Sequence, residues 1–144
     1  MKDDELDYNH GCLTGPSKVI YYYNATRPED GWRIGPRTIC GRESAQVAAL
    51  HGKLCVFGGG RRVEPPDVWA EFLDTTLIDL EEEGKGKADW SPLQECPALG
   101  SDRGYFVAAC AEGIYSGHIL VATKYPGPIC LYDVTREVWK NLGD

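Results

Sequence analysis

The stretch HGKLCVFGGG, residues 51–60, is the part of the chain that decides the fold. A short apolar run ends in three glycines, and two arginines follow. Such a run either leads into a glycine loop that holds a phosphate, or it ends a β-strand whose next residues need unusual backbone angles. The first interpretation predicts a nucleotide-binding protein, and the second predicts a repeated β scaffold.

A phosphate-binding loop does not fit these glycines. Gly58 and Gly60 would need a third glycine at position 63, where the sequence has Val63. The double proline Pro65-Pro66 opposes the helix that should follow such a loop. Gly52-Lys53 lacks both the earlier glycine and the following Ser or Thr of a P-loop. We therefore interpret the glycines as the end of a strand, where a residue without a side chain allows close approach of the backbone.

Composition indicates one globular domain that binds neither nucleic acid nor membrane. The chain has 144 residues and a net charge of −7, and an acidic chain repels a phosphate backbone. No apolar run is long enough to span a bilayer. Residues 1–18 form an acidic N-terminal segment without the apolar core of a signal peptide, which favours the cytoplasm or nucleus.

The six cysteines and three histidines indicate neither a cofactor nor a catalytic site. The cysteines are widely scattered, no CxxC pair occurs, and no histidine lies at zinc-finger spacing. The GxSxG pattern of a nucleophile elbow is also absent from the sequence. We expect the cysteines in apolar runs to be buried thiols, and we expect no bound cofactor or metal and no enzymatic activity.

Three segments of the chain, residues 19–34, 75–93 and 128–142, share one order of residue types. Each has an apolar run, then an Asn or Asp, then a polar stretch and a tryptophan. The Asn or Asp residues are Asn24, Asp79 and Asp133, and the tryptophans are Trp32, Trp90 and Trp139. The pattern predicts a β-hairpin in which the Asn or Asp begins the turn and the tryptophan opens the returning strand.

A second pattern precedes two of these hairpins. Residues 42–52 and 103–113 each carry an arginine, then Val-Ala-Ala, then a glycine, and an apolar run follows each of them. This predicts another hairpin, so that one complete unit has four short strands. The chain is thus expected to be all-β, with about two and a half four-stranded antiparallel blades: half a blade at 19–41, a complete repeat at 42–100 and a degenerate repeat at 101–144.

The complete unit resembles a kelch repeat. The resemblance rests on Arg42, the small apolar strand at 48–50, the Gly52-Lys53 turn, the Gly58-Gly59 pair and the later Asp79 and Trp90. The third unit keeps Arg103, Asp133 and Trp139 but has Thr123-Lys124 where the double glycine should stand. The resemblance implies a kelch-type β-propeller, in which the glycines, aspartates and tryptophans are structural repeat residues.

A propeller ring needs about 4–8 blades. The sequence is therefore expected to be a fragment, a truncated product, or a chain that needs further blades to close a ring. Its degenerate repeats and its closing hairpin YDVTREVW, residues 132–139, resemble those of plant F-box/kelch-repeat proteins. That resemblance implies a protein partner, and substrate recognition for an SCF-type ubiquitin ligase, although no F-box-like segment is visible in the sequence.

The loop at residues 60–69 is the predicted partner contact, through Arg61, Arg62 and Trp69. Arg42 and Arg103 are further candidates, because arginines from adjacent blades could ring a pocket for an acidic partner. The alternative is that each arginine binds carbonyls or an acid of the next blade. Two other functions stay open: a propeller-based enzyme or metal-assisted specifier protein, and a truncated product without independent activity.

Overall fold

The computed structural model describes residues 17–59, 68–78, 88–96, 105–123 and 127–143. These residues form three antiparallel sheets of two, four and four strands. In chain order the strands are β1 (Tyr21–Tyr23), β2 (Trp32–Ile34), β3 (Gln46–Leu50), β4 (Lys53–Phe57), β5 (Ala70–Asp74), β6 (Trp90–Pro92), β7 (Tyr105–Cys110), β8 (His118–Thr123), β9 (Ile129–Asp133) and β10 (Val138–Asn141). The predicted all-β fold of about two and a half blades is confirmed, and its arrangement is that of a propeller-like fragment.

The first hairpin, β1–β2, follows the sequence pattern closely. Tyr23 lies opposite Trp32, and Tyr21 lies opposite Ile34. The Asn24 side chain begins the turn, because its Oδ1 accepts the backbone N–H of Thr26 at 3.0 Å and the Thr26 hydroxyl at 2.7 Å. This is the local side-chain bond expected of Asn in a turn, so the predicted role of Asn24 is confirmed.

The second blade, β3 to β6, is a meander in which each strand pairs with the next one along the chain. His51 and Gly52 form the two-residue turn between β3 and β4, and Ala48 lies opposite Cys55. The apolar run of the opening stretch is β4, which ends at Phe57, directly before Gly58 and Gly59. The glycines therefore mark the end of a strand, as predicted.

The third blade, β7 to β10, repeats this meander despite its degenerate sequence. Residues 112–117 form the turn between β7 and β8 that the sequence predicted. At the end of β9, Asp133 Oδ1 accepts the backbone N–H groups of Thr135 and Arg136 at 3.0 and 2.9 Å. Asp133 therefore begins its hairpin turn in the predicted way.

The hairpin of the second blade differs from the prediction. The strand was expected to include residues 75–78, but β5 ends at Asp74, and Thr75–Leu77 form a 3₁₀ turn. Asp74 begins this turn, since its Oδ1 accepts the N–H of Thr76 at 3.0 Å and the Thr76 hydroxyl at 2.6 Å. Asp74 thus takes the position that the sequence reading gave to Asp79, which lies outside the described residues.

Two apolar layers hold these units together. One lies between the second and third blades, where Cys55 and Phe57 of β4 pack in a cluster with Ile119 and Val121 of β8 and with Tyr132. The other joins the first hairpin to the second blade, and in it Val56, Leu73 and Trp90 are buried beside the partly buried Ile20 and Ile39. Each four-stranded sheet thus buries a face against a neighbouring unit, as stacked blades require.

Candidate partner-binding site

The two glycines after β4 are required by their surroundings. Gly58 and Gly59 have φ angles of +66° and +71°, which other residues adopt at a cost. A Cβ on Gly58 would overlap the Tyr105 hydroxyl, and one on Gly59 would lie 2.5 Å from the carbonyl oxygen of Glu43. Tyr105 belongs to the third blade and donates its hydroxyl to Phe57 O at 2.8 Å. The glycines therefore let two blades approach closely, and their predicted structural role is confirmed.

Arg42 is buried beside these glycines and is used internally. Its Nη2 lies 2.6 Å from Glu71 Oε2, and the two side chains are only 6% and 0% exposed. The same guanidinium donates to the carbonyl oxygens of Gly58 at 2.7 Å, Trp69 at 3.0 Å and Val68 at 2.8 Å. A buried charge needs this kind of pairing to be stable.

Glu71 also holds the segment that enters the second blade. Its Oε1 accepts the backbone N–H of Ile39 at 2.7 Å, and its Oε2 accepts that of Cys40 at 3.3 Å. The acid that pairs with Arg42 thus lies in the arginine's own blade and not in the next blade. The structure gives Arg42 a structural role and no exposed face toward a partner, while Arg103 lies outside the described residues.

Trp69, one of the predicted partner contacts, packs against aromatic rings of both blades. The indole is half-buried, and its ring centroid lies 5.6 Å from those of Phe57 and Tyr105 and 6.3 Å from that of Trp139. The aromatic rings come from both the second and third blades, so Trp69 helps to join them. Burial of Trp69 is favourable because its indole removes a large apolar area from water.

The other two residues of the predicted contact, Arg61 and Arg62, lie outside the described residues. The ends of their loop are placed, however. Because β4 and β5 are antiparallel, the flanking residues Gly59 and Val68 lie at the strand ends opposite to the His51-Gly52 turn. How Arg61 and Arg62 lie relative to Arg42 and Trp69 is outside the described residues.

The opposite end of the two blades carries a connected set of turns. We call this surface the turn rim: residues 51–52, 75–77, 113–117 and 134–137. Thr75 donates its backbone N–H to Gly52 O at 2.8 Å, and Val134 donates to Gly117 O at 3.1 Å. Between the blades, Lys53 Nζ donates to Val134 O at 3.0 Å. These bonds fix the turns relative to one another.

Three apolar side chains project from the turn rim into solvent. Ile114 is 89% exposed, Leu77 is 50% exposed and Tyr115 is 36% exposed. Leu77 and Ile114 belong to the turns that lie on either side of His51-Gly52, since Thr76 is beside Gly52 and His51 is beside Gly117. The sequence reading missed this surface. The signal that could have found it is an Ile-Tyr pair inside a predicted turn.

The turn rim carries charged groups of both signs. Lys53 Nζ is 3.2 Å from Glu137 Oε1, and the guanidinium of Arg136 is highly exposed beside Asp133. The backbone N–H groups of Arg136 and Thr135, together with the charges of His118 and Arg136, lower the pKa of Asp133, against a smaller opposing effect of burial. Asp133 is thus held in its ionised form, and the apolar side chains stand among charges of both signs.

Metal-ligand groups and membrane-spanning helices are other features that could indicate a function. Within the described ranges, no group of three His, Cys, Asp or Glu residues is placed to hold a metal ion. In that same part of the chain, no helix has the length and apolar character needed to cross a membrane. In comparisons with known proteins, no protein-family model and no curated protein matches the chain.

Proposed function

We propose that the chain is a non-catalytic protein-binding module and that the turn rim is its docking surface. The observation that carries this proposal is the exposure of Ile114, Leu77 and Tyr115 on turns that hydrogen bonds hold in place. Apolar and aromatic side chains within a polar surround are typical of interface hot spots. Rigid turns also favour binding, because little conformational entropy is lost when the partner docks.

The resemblance to plant F-box/kelch-repeat proteins supports a narrower version of this proposal. In that version the partner is a protein destined for ubiquitination, and the chain supplies substrate recognition to an SCF-type ligase. The segment that carries Arg61 and Arg62 remains a second candidate contact. The proposed contact does not include Trp69, because its half-buried indole packs between blades.

Affinity capture with matched variants tests the docking surface. The rim variant carries Leu77→Lys and Ile114→Lys, and the loop variant carries Arg61→Ala and Arg62→Ala. An exposed arginine of the first hairpin, Arg27, gives the control Arg27→Ala. We expect proteins that the wild-type chain captures to be lost by the rim variant and kept by the control.

Two results would contradict the proposal. Capture that is lost only in the loop variant would move the docking surface to the segment that carries Arg61 and Arg62. Capture of the same proteins by all variants would show that neither surface binds them. Measurement of metal in the purified chain adds an independent check, because stoichiometric iron would favour the metal-assisted alternative.

A further inference from the structure

The second and third blades each place a basic side chain opposite the aspartate that begins a turn. In the second blade Lys53 of β4 lies opposite Asp74 of β5. In the third blade His118 of β8 lies opposite Asp133 of β9. A lysine is charged throughout the neutral range of pH, whereas a histidine gains or loses its charge within it. The repeat thus carries a permanent cation at this position in one blade and a titratable group in the next.

The backbone around the two basic residues also matches. Thr75 donates its N–H to Gly52 O at 2.8 Å, and Val134 donates its N–H to Gly117 O at 3.1 Å. In each blade the residue after the aspartate therefore binds the glycine before the basic residue. The two basic residues occupy one equivalent place in the repeat, so the second blade is an internal reference for the third.

The ring of His118 lies among three oxygen acceptors. Its Nδ1 is 3.2 Å from Tyr115 O and 3.1 Å from Ser116 O. A carbonyl oxygen can only accept, so Nδ1 carries a proton and donates to these oxygens. The other ring nitrogen, Nε2, is 3.7 Å from Asp133 Oδ2. The neutral ring would turn a lone pair toward that carboxylate, so only the protonated ring offers a donor to all three acceptors.

Asp133 is oriented for this contact. Its Oδ1 accepts the backbone N–H groups of Thr135 and Arg136, which fixes the carboxylate with Oδ2 toward His118. The Arg136 N–H is the largest of several effects that lower the pKa of Asp133 below its ordinary value of 3.8. The carboxylate is therefore ionised over the whole range in which a histidine titrates.

Other ionisable groups surround this pair on β7, on β4 and the turn before it, and on the 134–137 turn. They are Cys110, Lys53, His51, Arg136 and Glu137. Lys53 and Glu137 pair with each other at 3.2 Å. Arg136 Nε lies 4.0 Å from Asp133 Oδ2, but its side chain is 82% exposed, so solvent screens its charge. His51 titrates in the same range, so a test must separate the two histidines.

We propose that His118 is a pH-dependent clamp on the turn rim. The protonated ring ties residues 115 and 116 to Asp133, and so joins the turn that presents Ile114 and Tyr115 to the turn at 134–137. Release of the Nε2 proton to solvent removes the half of this tie that reaches Asp133. The clamp is therefore complete at low pH and is released as the pH rises through the range of about 5–8 in which a histidine changes its charge.

The second blade shows the contrasting case. The Thr76 hydroxyl and N–H, with a smaller effect of the Lys53 charge, lower the pKa of Asp74. That turn keeps its charges over the same range, so Leu77 is presented at every pH, whereas Ile114 is presented on a clamped turn only at low pH. For the docking proposed above, on which this consequence rests, binding should be stronger at low pH, because a fixed turn loses less entropy.

NMR spectroscopy of the isolated chain tests the clamp without any partner, so its outcome is separate from that of the docking proposal. Long-range proton–nitrogen spectra distinguish the two nitrogens of a histidine ring. For His118 we expect protons on both nitrogens at about pH 5 and on Nδ1 alone at about pH 8. A proton on Nε2 alone at the higher pH would mean that the ring does not donate to the turn carbonyls, and would overturn the proposal.

Amide hydrogen exchange measures the turn itself. The N–H groups of Gly117 and His118 bind Cys110 O and Tyr115 O. Their protection, corrected for the intrinsic exchange rate at each pH, should fall about two- to fivefold between about pH 5 and pH 8, as expected of a partly exposed charge pair. His118→Lys, which copies the second blade, should remove this fall, and His51→Gln should keep it.

Asp133→Asn separates the charge of the aspartate from its role in the turn. An amide can still begin the turn, as Asn24 does in the first hairpin, but it carries no charge. The pH-dependent fall in protection should shrink in this variant, and thermal melts check that it stays folded. Protection that is independent of pH in the wild-type chain, or an undiminished fall in His118→Lys or Asp133→Asn, would overturn the proposal. Loss of the fall in His51→Gln would assign it to the other histidine and would also overturn it.

Discussion

The second and third blades hold their incoming segments at one equivalent position, with different chemistry. Glu71 and Cys130 each lie three residues before the Asp that begins the hairpin turn, and both are buried. Glu71 binds the amides of Ile39 and Cys40, whereas the thiol of Cys130 interacts with the side chain of Cys96. The two blades thus hold their incoming segments at the same position of the repeat, but a different residue occupies that position in each blade.

The difference teaches how much each blade depends on one side chain. A buried carboxylate must keep all its partners, because the loss of one leaves an uncompensated charge in a poorly solvated site. A buried thiol is close to apolar and loses little when its weak bond is removed. We therefore expect the second blade to be sensitive at this position and the third blade to be tolerant.

The largest effect is expected from Glu71→Ala. The change leaves the Arg42 guanidinium buried without its carboxylate, which costs about 3–5 kcal/mol of unfolding free energy. Urea unfolding measures this loss, with Cys130→Ala as the comparison and the exposed Arg27→Ala as a control expected to cost about 0–1 kcal/mol. If Glu71→Ala and Cys130→Ala cost the same, the contrast between the two blades is wrong.

A smaller loss is expected from Trp69→Ala. The change removes an indole that packs on rings of both complete blades, and the half-buried position suggests about 2–4 kcal/mol, toward the lower part of the range for buried aromatics. Trp32→Ala provides the control, because its ring is 71% exposed. Its effect on urea unfolding should be much smaller.

The glycine pair sharpens the comparison at the end of β4. Gly59→Ala should cost about 2 kcal/mol or more, since it adds a collision with the Glu43 backbone to the cost of a positive φ. Gly113→Ala is matched for backbone angle, with φ +83°, but its Cβ would meet open space. Equal losses in thermal unfolding for the two variants would show that close packing is not what requires the glycine.

High pH should act on the buried thiol of Cys130 in the third blade. Burial, and then the Cys96 side chain, raise the pKa of Cys130 from 9.0 to about 12. Because the unfolded chain releases this proton first, stability is full below about pH 9 and is lost as the pH rises toward 12. Unfolding midpoints between these values should fall less steeply in Cys130→Ala than in the wild-type chain, and an unchanged slope would count against a perturbed thiol.

The smallest effects concern the indole bonds between units, from Trp90 Nε1 to Pro36 O and from Trp139 Nε1 to Gln94 O. Trp90→Phe and Trp139→Phe should each cost about 1 kcal/mol or somewhat more, since each removes one hydrogen bond and part of a packed ring. Trp32→Phe should cost almost nothing, because the Trp32 ring is 71% exposed. Chemical unfolding of the three variants ranks them, and an equal cost at all three positions would mean that these bonds do not distinguish the covered blades from the bare hairpin.

Local patterns were sufficient to predict much of this fold. The hairpins, the Gly58-Gly59 strand end and the turns at Asn24 and Asp133 depend on neighbouring residues, which a single sequence displays directly. The turn at Asp74 was missed because the β-branched residues Thr75 and Thr76 resemble a strand. The shared Asn or Asp followed two residues later by Thr would have identified it.

Burial between units was not predictable in the same way. In the sequence alone, Glu71 resembles a solvated strand residue, because its partner Arg42 lies 29 residues away along the chain. Trp69 looks like a loop anchor until the third blade covers it. The exposure of Ile114 also depends on which neighbours are present, so the turn rim emerged only from the assembled blades.

Hydrogen exchange of the indole N–H groups, followed by NMR, tests most directly whether each unit attaches to its predecessor through its tryptophan. The wild-type chain is measured at low concentration. We predict slow exchange for Trp90 and Trp139, whose N–H groups bind Pro36 and Gln94, and fast exchange for Trp32. Fast exchange at Trp90 and Trp139, or protection at Trp32 equal to theirs, would contradict the stacking of units described above.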